Sequence, residues 1–578
     1  MTQTSPLPEG TPTPATVRVA AAQFYSGPDV AANLELVRGY LRDAAAQGAQ
    51  LIVTPENSNR VRDFTTRDAA FEQCEAIDGP FITGVRETAA ELGIMVALGV
   101  DIRGESFPDV HIAQVLIDID GEILHVHHKT VFWDYEYTLF TPGTKQLEVI
   151  PTRFGRIGLL LCADGIVPEV PRIIGLKGAE ILLNSLNSRG PDEMRVHEPL
   201  RAIENHVWHV AANTVSGPGD AYPWTGGSQV ISPTGEILAN AGEREAGLIV
   251  ADITPSTSFP KVLTGIGALD DFRRPDLYAE LVAPIDSHAV DYGPVPDDAP
   301  VRPLRVAALQ TSWYHTTEWT LARAAGQIAY AAKRGVQLGV FPELFILRPG
   351  EVAADPAAAA ELSSTALDVV TTAAGEHGVW IVVNLVERDG DDFYSTAYLV
   401  AGDGSIHARY RKAHLDEVER TWATPGDEFV VASTPIGEIG LMIGNEIWLP
   451  EISRILALRG AEVVAHPVSW DRVEAATMAA TERTEENRTH LVSAARLDNP
   501  AAFGSQIIVA DRFIPGQPIA VMRYPTGVWS RPGFEENIIH DLDLQDAHSK
   551  MQGYHLDPLA TRQPHLYDVF VETPANVG

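Results

Sequence analysis

Short apolar runs alternate along this chain with longer stretches in which apolar residues fall three or four positions apart. Arg18-Val-Ala-Ala-Ala-Gln23 is a strand-length run, Val30 to Gln47 carries helical spacing, and Leu51-Ile-Val53 is again short and β-branched. That alternation predicts α/β layers built around mixed sheets. No apolar run approaches the roughly 18 residues that a bilayer-spanning helix needs, so a membrane span is excluded.

The same pattern is written twice, at an offset of about 285 residues. Val17-Arg-Val-Ala-Ala-Ala-Gln23 answers Leu304-Arg-Val-Ala-Ala-Leu-Gln310, and Thr54-Pro55-Glu56 answers Phe341-Pro342-Glu343. His127-His-Lys129 answers Tyr410-Arg-Lys412, Thr141-Pro-Gly143 answers Thr424-Pro-Gly426, and Arg273-Arg-Pro-Asp-Leu-Tyr278 answers Arg562-Gln-Pro-His-Leu-Tyr567. The most telling pair aligns without a gap. Gly155-Arg-Ile-Gly-Leu-Leu-Leu-Cys162-Ala-Asp-Gly matches Gly437-Glu-Ile-Gly-Leu-Met-Ile-Gly444-Asn-Glu-Ile, so a glycine faces a cysteine. Thiol chemistry is therefore open to the first half alone.

A length of 578 residues fits two domains of roughly 250 residues better than one core. The expected division is a tail over 1–16, a catalytic domain over 17–290, a linker over 291–302 and a related domain over 303–578 that lacks the nucleophile. A net charge of −34 argues against a nucleic-acid partner. The Pro-, Thr- and Ser-rich start has neither a basic nor an apolar segment, so it reads as a flexible tail rather than an export signal, and a cytoplasmic location is expected. The two cysteines, Cys74 and Cys162, are too few for a disulfide framework. No CxxC or HExxH spacing suggests a metal, and His127-His128 reads as a solvated strand end. No GxxxxGK[ST] or GxGxxG loop seats a nucleotide, so neither metal nor cofactor is expected.

Three polar residues sit where apolar strands should emerge, the place where α/β sheets present ligands. Glu56 follows Leu51-Ile-Val53, Lys129 follows Glu122-Ile-Leu-His-Val-His127, and Cys162 ends the run from Ile157 to Leu161. A thiol attacks efficiently only as thiolate, so a carboxylate must take its proton, and Glu56 can do so. Attack on a carbonyl builds negative charge on oxygen, which the Lys129 ammonium and the backbone N–H of Ala163 can stabilise. Taken singly, each residue has a plainer reading: a core cysteine, a turn carboxylate, a surface lysine. Cys74, in a helix-like stretch, is read as a packing residue.

These motifs resemble the nitrilase superfamily of carbon–nitrogen hydrolases, over Val17 to about Tyr278 and again over Leu304 to about Tyr567. The resemblance gives Glu56, Lys129 and Cys162 the roles of the family's Glu-Lys-Cys set. It also makes Glu136, seven residues after Lys129, the second glutamate that positions substrate and the attacking water. It implies an αββα sandwich in each half, the two packed as an intramolecular pseudo-dimer (αββααββα), with association of such chains into homo-oligomers left open. In the second half Glu343, Lys412 and Glu419 remain beside Gly444, either as a persisting framework or as a retained small-molecule pocket.

Cys162-Ala-Asp-Gly with Pro168-Glu169 is more similar to the family's amide hydrolases than to its Cys-Trp-Glu nitrilases. The expected reaction is hydrolysis of a small-molecule amide to acid plus ammonia or amine through a thioester, with N-carbamoyl amide or nitrile hydrolysis behind it. A non-catalytic binding protein and an acyltransferase are the alternatives of a different class. Trp133, Tyr135 and Asn187 are candidate substrate-binding residues together with Ala163, as are Trp224 and Arg189, although packing or surface exposure explains these residue types equally well.

Overall fold

A computed structural model of the chain describes residues 16–573 apart from 189, 191, 218–225, 289, 291–294, 297, 513–524 and 554. The tail up to Ala15, Arg189, Trp224 and part of the expected linker lie outside the described residues.

The first half is two six-stranded sheets. One runs in the order β12-β1-β2-β3-β4-β5, with β1 Val17–Gln23, β2 Leu51–Val53, β3 Met95–Arg103, β4 Val110–Ile117, β5 Ile123–His128 and β12 Gly247–Ile253. The other runs β11-β10-β9-β8-β7-β6, with β6 Val149–Thr152, β7 Gly155–Leu161, β8 Ile181–Ser185, β9 Trp208–Ala212, β10 Gln229–Ile231 and β11 Ile237–Asn240. β1, β2 and β3 pair parallel, as do β7, β8 and β9, and antiparallel strands complete the edges. The helix expected from Val30 runs Val30–Ala46, its start capped by the Asp29 carboxylate on the N–H groups of Ala31 and Ala32.

Alternation along the strands sorts side chains into layers. Val19, Leu51 and Val53 face Ile157, Leu159, Leu183 and Val210 between the sheets. Ala20, Ala22, Val96 and Leu98 face outward onto Val37 and Leu41 of helix Val30–Ala46 and Val85 and Ala89 of helix Pro80–Leu92. At the edge the outward Arg18 pairs with Asp252 at 2.7 Å, and the second half repeats this with Arg305 and Asp541 at 2.6 Å. The second half copies the first: its sheets run from Asn537–Asp543 through Pro303–Leu309 to Ile406–Arg411, and from Val431–Thr434 to Thr526–Trp529, in the same order.

The two sandwiches close on each other through the helices that follow Cys162 and Gly444. Val170, Ile173 and Ile174 of helix Glu169–Leu176 share one core with Ile452, Ile455 and Leu456 of helix Pro450–Leu458. The apolar face expected there also carries buried, reciprocal ion pairs. Arg172 meets Glu451 at 3.1 Å and Arg454 meets Glu169 at 2.9 Å, all four essentially inaccessible. Arg201 bonds Glu482 at 2.6 Å and Glu486 at 3.0 Å, and Arg483 bonds Glu204 in return. The repeated Arg273 to Tyr278 and Arg562 to Tyr567 segments cross to the opposite half. Arg273 reaches Glu451 at 3.2 Å and Arg562 reaches Glu169 at 3.0 Å. Each half thus supplies charge partners that the other could not bury alone.

Candidate active site

Strand ends of both first-half sheets converge on one buried cluster. Glu56 follows β2, and its N–H donates to the carbonyl of Leu186, just beyond β8, at 3.1 Å, which stitches the two sheets together. Lys129 extends β5 by donating to the Ile112 carbonyl at 2.9 Å, and its own carbonyl accepts from Gly143 N–H at 2.8 Å. That last contact explains the repeated Thr-Pro-Gly: a Cβ at Gly143 would fall 2.3 Å from the His128 carbonyl oxygen, and one at Gly426 would fall 2.1 Å from that of Arg411. Glu136 opens the short helix Glu136–Leu139, and its carboxylate accepts the Trp133 N–H at 2.8 Å.

The Lys129 ammonium donates to Glu56 Oε1 at 2.7 Å and to Glu136 Oε2 at 2.9 Å and Oε1 at 3.1 Å, with no solvent exposure. A second cation completes the cluster. Arg62 Nη1 donates to Glu136 Oε1 at 2.8 Å and to Glu56 Oε2 at 3.2 Å, while its other edge is held bidentate by Asp101 at 2.8 Å. Each carboxylate is therefore already matched by Lys129 or Arg62. Burial opposes ionisation of Glu56, but Arg62 and Lys129 outweigh it and hold its pKa below the ordinary carboxylate range. Glu136 goes the other way, raised by burial and by the neighbouring Glu56 charge against the pull of Lys129. Lys129 stays an ammonium: burial opposes its charge, and the Glu136 and Glu56 carboxylates outweigh it.

Cys162 stands between β7 and the turn Cys162–Gly165, with a left-handed φ of 46° and 9% exposure. A non-glycine residue there stores strain of order 1–3 kcal/mol, tolerated only where the surroundings over-determine it. Two contacts supply that restraint. The Cys162 N–H donates to Asn184 Oδ1 at 3.2 Å. The Asp164 carboxylate accepts from Thr130 N–H at 2.9 Å, Thr130 Oγ1 at 2.7 Å and Val131 N–H at 2.9 Å, with His127 Nε2 at 2.9 Å. Asp164 thus ties the turn holding the thiol to the strand end holding Lys129. Burial opposes its charge, but the His127 contact and these donors outweigh it and lower its pKa. Burial, with Glu56, Glu193 and Glu136 against Lys129, pushes the Cys162 thiol far up, so at neutral pH it is a thiol rather than a thiolate.

The structure brings Glu56, Lys129, Glu136 and Cys162 together. Ala163 is buried directly after Cys162, and Asn187 is half-buried next to Leu186, which packs on Cys162. Trp133 is half-buried, and its ring reaches across to the second half, within 3.2 Å of where a Cβ on Gly553 would lie. Tyr135 is 40% exposed. One expectation is corrected: His127 is no solvated strand end but a buried partner of Asp164, because β5 turns its ring inward, while His128 stacks on His111 at 4.0 Å. Cys74 is buried in an apolar cluster with Phe64, Ile112 and Phe140, as a packing residue should be. Arg62 and Asp101 carried no motif that could have revealed them. Asp164 stood in plain view but read only as a mark of subtype.

In the second half Lys412 bonds Glu419 at 2.5 Å and lies 3.4 Å from Glu343. Glu446 replaces Asp164 as the brace, accepting from Tyr410 Oη at 2.6 Å with His414 Nδ1 at 2.8 Å. Among the described residues no second cation pairs with Glu343 or Glu419: Pro349 stands six residues after Glu343, and sheet register puts Val386 where Asp101 would be. Glu343 instead swings into the space a cysteine would fill. A Cβ on Gly444 would lie 2.4 Å from Glu343 Oε1, while Oε2 accepts Ser469 N–H at 3.0 Å.

The carbon-nitrogen hydrolase family model matches residues 18–258 and again 305–496, and the chain belongs to that family, as a tandem duplication whose second copy has Gly444 where the first has Cys162. Among curated relatives, a nitrilase of Pyrococcus abyssi is 29% identical over 247 residues, covering 43% of this chain and 92% of the relative. An N-carbamoylputrescine amidase of Arabidopsis thaliana is 28% identical over 295 residues, covering 46% of this chain and 95% of the relative. Among solved structures, an amidase from Nesterenkonia sp. is 28% identical with a TM-score of 0.38, covering 42% of this chain and 92% of that one. The chain is a carbon–nitrogen hydrolase. No helix among the described residues is long and apolar enough to cross a membrane.

Proposed function

We propose that the first half hydrolyses a small-molecule linear amide to a carboxylic acid and ammonia or an amine, with Cys162 as nucleophile. The observation that carries this reading is the buried Lys129 ammonium held between Glu56 and Glu136 beside a strained cysteine. A thiol that burial keeps protonated needs a base at the moment of attack, and Glu56, held ionised by two cations, is suited to that task.

Glu56 takes the thiol proton as sulfur adds to the carbonyl carbon, and the resulting oxyanion is stabilised by Lys129 and the Ala163 N–H. Collapse breaks the C–N bond as Glu56 returns the proton to nitrogen, leaving a thioester on Cys162. Water positioned by Glu136 gives a proton to Glu56 and adds to the thioester, and collapse frees the acid and the thiol. Trp133, Tyr135 and Asn187 are proposed to line the substrate path.

Cys162-Ala163-Asp164 supports amide over nitrile cleavage. The likeness to an N-carbamoylputrescine amidase favours N-carbamoyl compounds as the second reading. The deciding experiment is a panel of amides, N-carbamoyl compounds and nitriles scored by ammonia release, with wild type and Cys162→Ala. Release from simple amides that disappears in Cys162→Ala is the expected result. Turnover of nitriles alone, or of nothing in the panel, would overturn the proposal.

A further inference from the structure

Apart from the cluster at Cys162, the largest gathering of buried ionisable groups lies where the halves meet, and part of it breaks the pseudo-symmetry of the fold. Arg201 and Arg483 are equivalent positions, as are Glu204 and Glu486, and their ion pairs form a balanced reciprocal set. His197, Glu482 and Glu485 are additions on one side only, whereas Asp192, which precedes the π-helical turn, has Glu474 as its equivalent. Aligning helix Glu198–Asn205 with helix Ala480–Asn487 puts Leu200 and Ile203 opposite Glu482 and Glu485, and Ala479 opposite His197. The interface closes at the mirror position with apolar side chains, so packing alone does not require the charged set.

Asp192, His197 and Glu485 each offer one ligand atom, and the three atoms lie within 4.8 Å of one another. The π-helical turn Glu193–His197 places Asp192 and His197 on one side, and Glu485 comes from the other half. Asp192 Oδ2, His197 Nε2 and Glu485 Oε2 have no hydrogen-bond partner among the described residues, and the three side chains are 6%, 1% and 2% exposed. Nε2 lies 3.7 Å from Asp192 Oδ2 and 3.9 Å from Glu485 Oε2. Those separations are too long for hydrogen bonds. They are a few tenths of an ångström wider than the roughly 3.4 Å between ligands about 2.1 Å from a tetrahedral ion. On the far side of the ring, His197 Nδ1 lies 2.7 Å from Glu482 Oε2, an ion-pair approach outside hydrogen-bond geometry that sets a carboxylate on the side of the ring away from Nε2. Glu193 and Glu198 are buried beside this group, and burial raises the pKa of both.

We propose that Asp192, His197 and Glu485 bind one divalent cation of the zinc class, a structural ion that joins the two halves of the chain. An imidazole with two carboxylates and no thiolate is a borderline-to-hard ligand set suited to such an ion. No spacing motif announces it, and a chain without metal was the expectation from sequence, because its ligands come from segments that only the folded pseudo-dimer brings together.

The test uses the full-length Cys162→Ala protein, so that zinc cannot report on the catalytic thiol. After loading with Zn²⁺ and dialysis into metal-free buffer, elemental analysis should find about one zinc per chain, and calorimetric titration with Zn²⁺ should show a site that Mg²⁺ fills far less well. Asp192→Asn and Glu485→Gln, added singly, should each weaken that site by about 10²-fold or more while circular dichroism stays unchanged. Zinc should raise the unfolding temperature of the parent and not of the variants. The proposal fails if the folded parent binds no zinc, since the His197 proton would then be the cation of the cluster. It fails equally if either folded variant retains zinc as the parent does.

Discussion

Restoring a cysteine at position 444 is the sharpest test of what the second half has lost. Gly444 has φ of 56°, close to the 46° of Cys162, so the backbone is already shaped for a nucleophile and a side chain there costs about 1–2 kcal/mol in left-handed strain. The side chain itself has no room. Its Cβ would lie 2.4 Å from Glu343 Oε1, where ordinary contact begins at 3.4 Å, so Glu343 must retreat by about 1 Å. Retreat strains or breaks the 3.0 Å bond from Ser469 N–H to Oε2, a charge-assisted contact of about 1.5–3 kcal/mol. Together these terms predict a loss of roughly 2.5–5 kcal/mol of stability in Gly444→Cys. In the first half Arg62, itself clamped by Asp101, holds Glu56 in place, and Pro349 and Val386 offer no substitute for that pair. A displacement of 1 Å costs about 10²-fold in positioning, so the new thiol should be nearly inert. The assay is Gly444→Cys in a Cys162→Ala background, read by acyl burst titration and denaturant unfolding. One acyl group per chain formed at close to the wild-type rate, with stability unchanged, would refute the argument.

Cys162→Ala should abolish turnover with the fold intact, and Glu56→Gln should lose nearly as much because the two act as a unit, both read by ammonia release and circular dichroism. Replacing Arg62 by Met together with Asp101 by Leu, so that neither partner of that ion pair is left alone, should raise the Glu56 pKa, because the Arg62 charge that favours its ionised form is gone. The wild-type Glu56 pKa is depressed, so both its activity as base and its contribution to stability are present above the unfolded carboxylate value and are lost as pH falls through the folded one. The acid limb of kcat/KM should therefore move to higher pH in the double variant, and an unmoved limb would exclude Glu56 as the base. A chain truncated near Asp298 should aggregate or self-dimerise, because it exposes Ile173 and Ile174 and strips Glu169 of Arg454 and Arg562. A monomeric, soluble and fully active fragment on size-exclusion chromatography would refute the supporting role of the second half.

The amino-acid sequence by itself determined the duplication, the alternation of strands and helices, and the strand-end positions of Glu56, Lys129 and Cys162, because each depends on local periodicity or on a motif compared with its own repeat. Glu136 needed a known family to be noticed, and the structure brings it within 2.9 Å of Lys129. Arg62 was silent in the sequence, since an arginine in a loop has no pattern that distinguishes a surface side chain from one buried between three carboxylates. His127 was misread because whether a strand-end ring meets water or Asp164 depends on the neighbouring sheet. The ion pairs of Arg172, Arg201, Arg454 and Arg483, and the gathering of Asp192 and His197 with Glu485, were likewise decided only in three dimensions. Periodicity encodes which face of an element is buried; which charge from the other half arrives to meet it is set by how the two sandwiches dock.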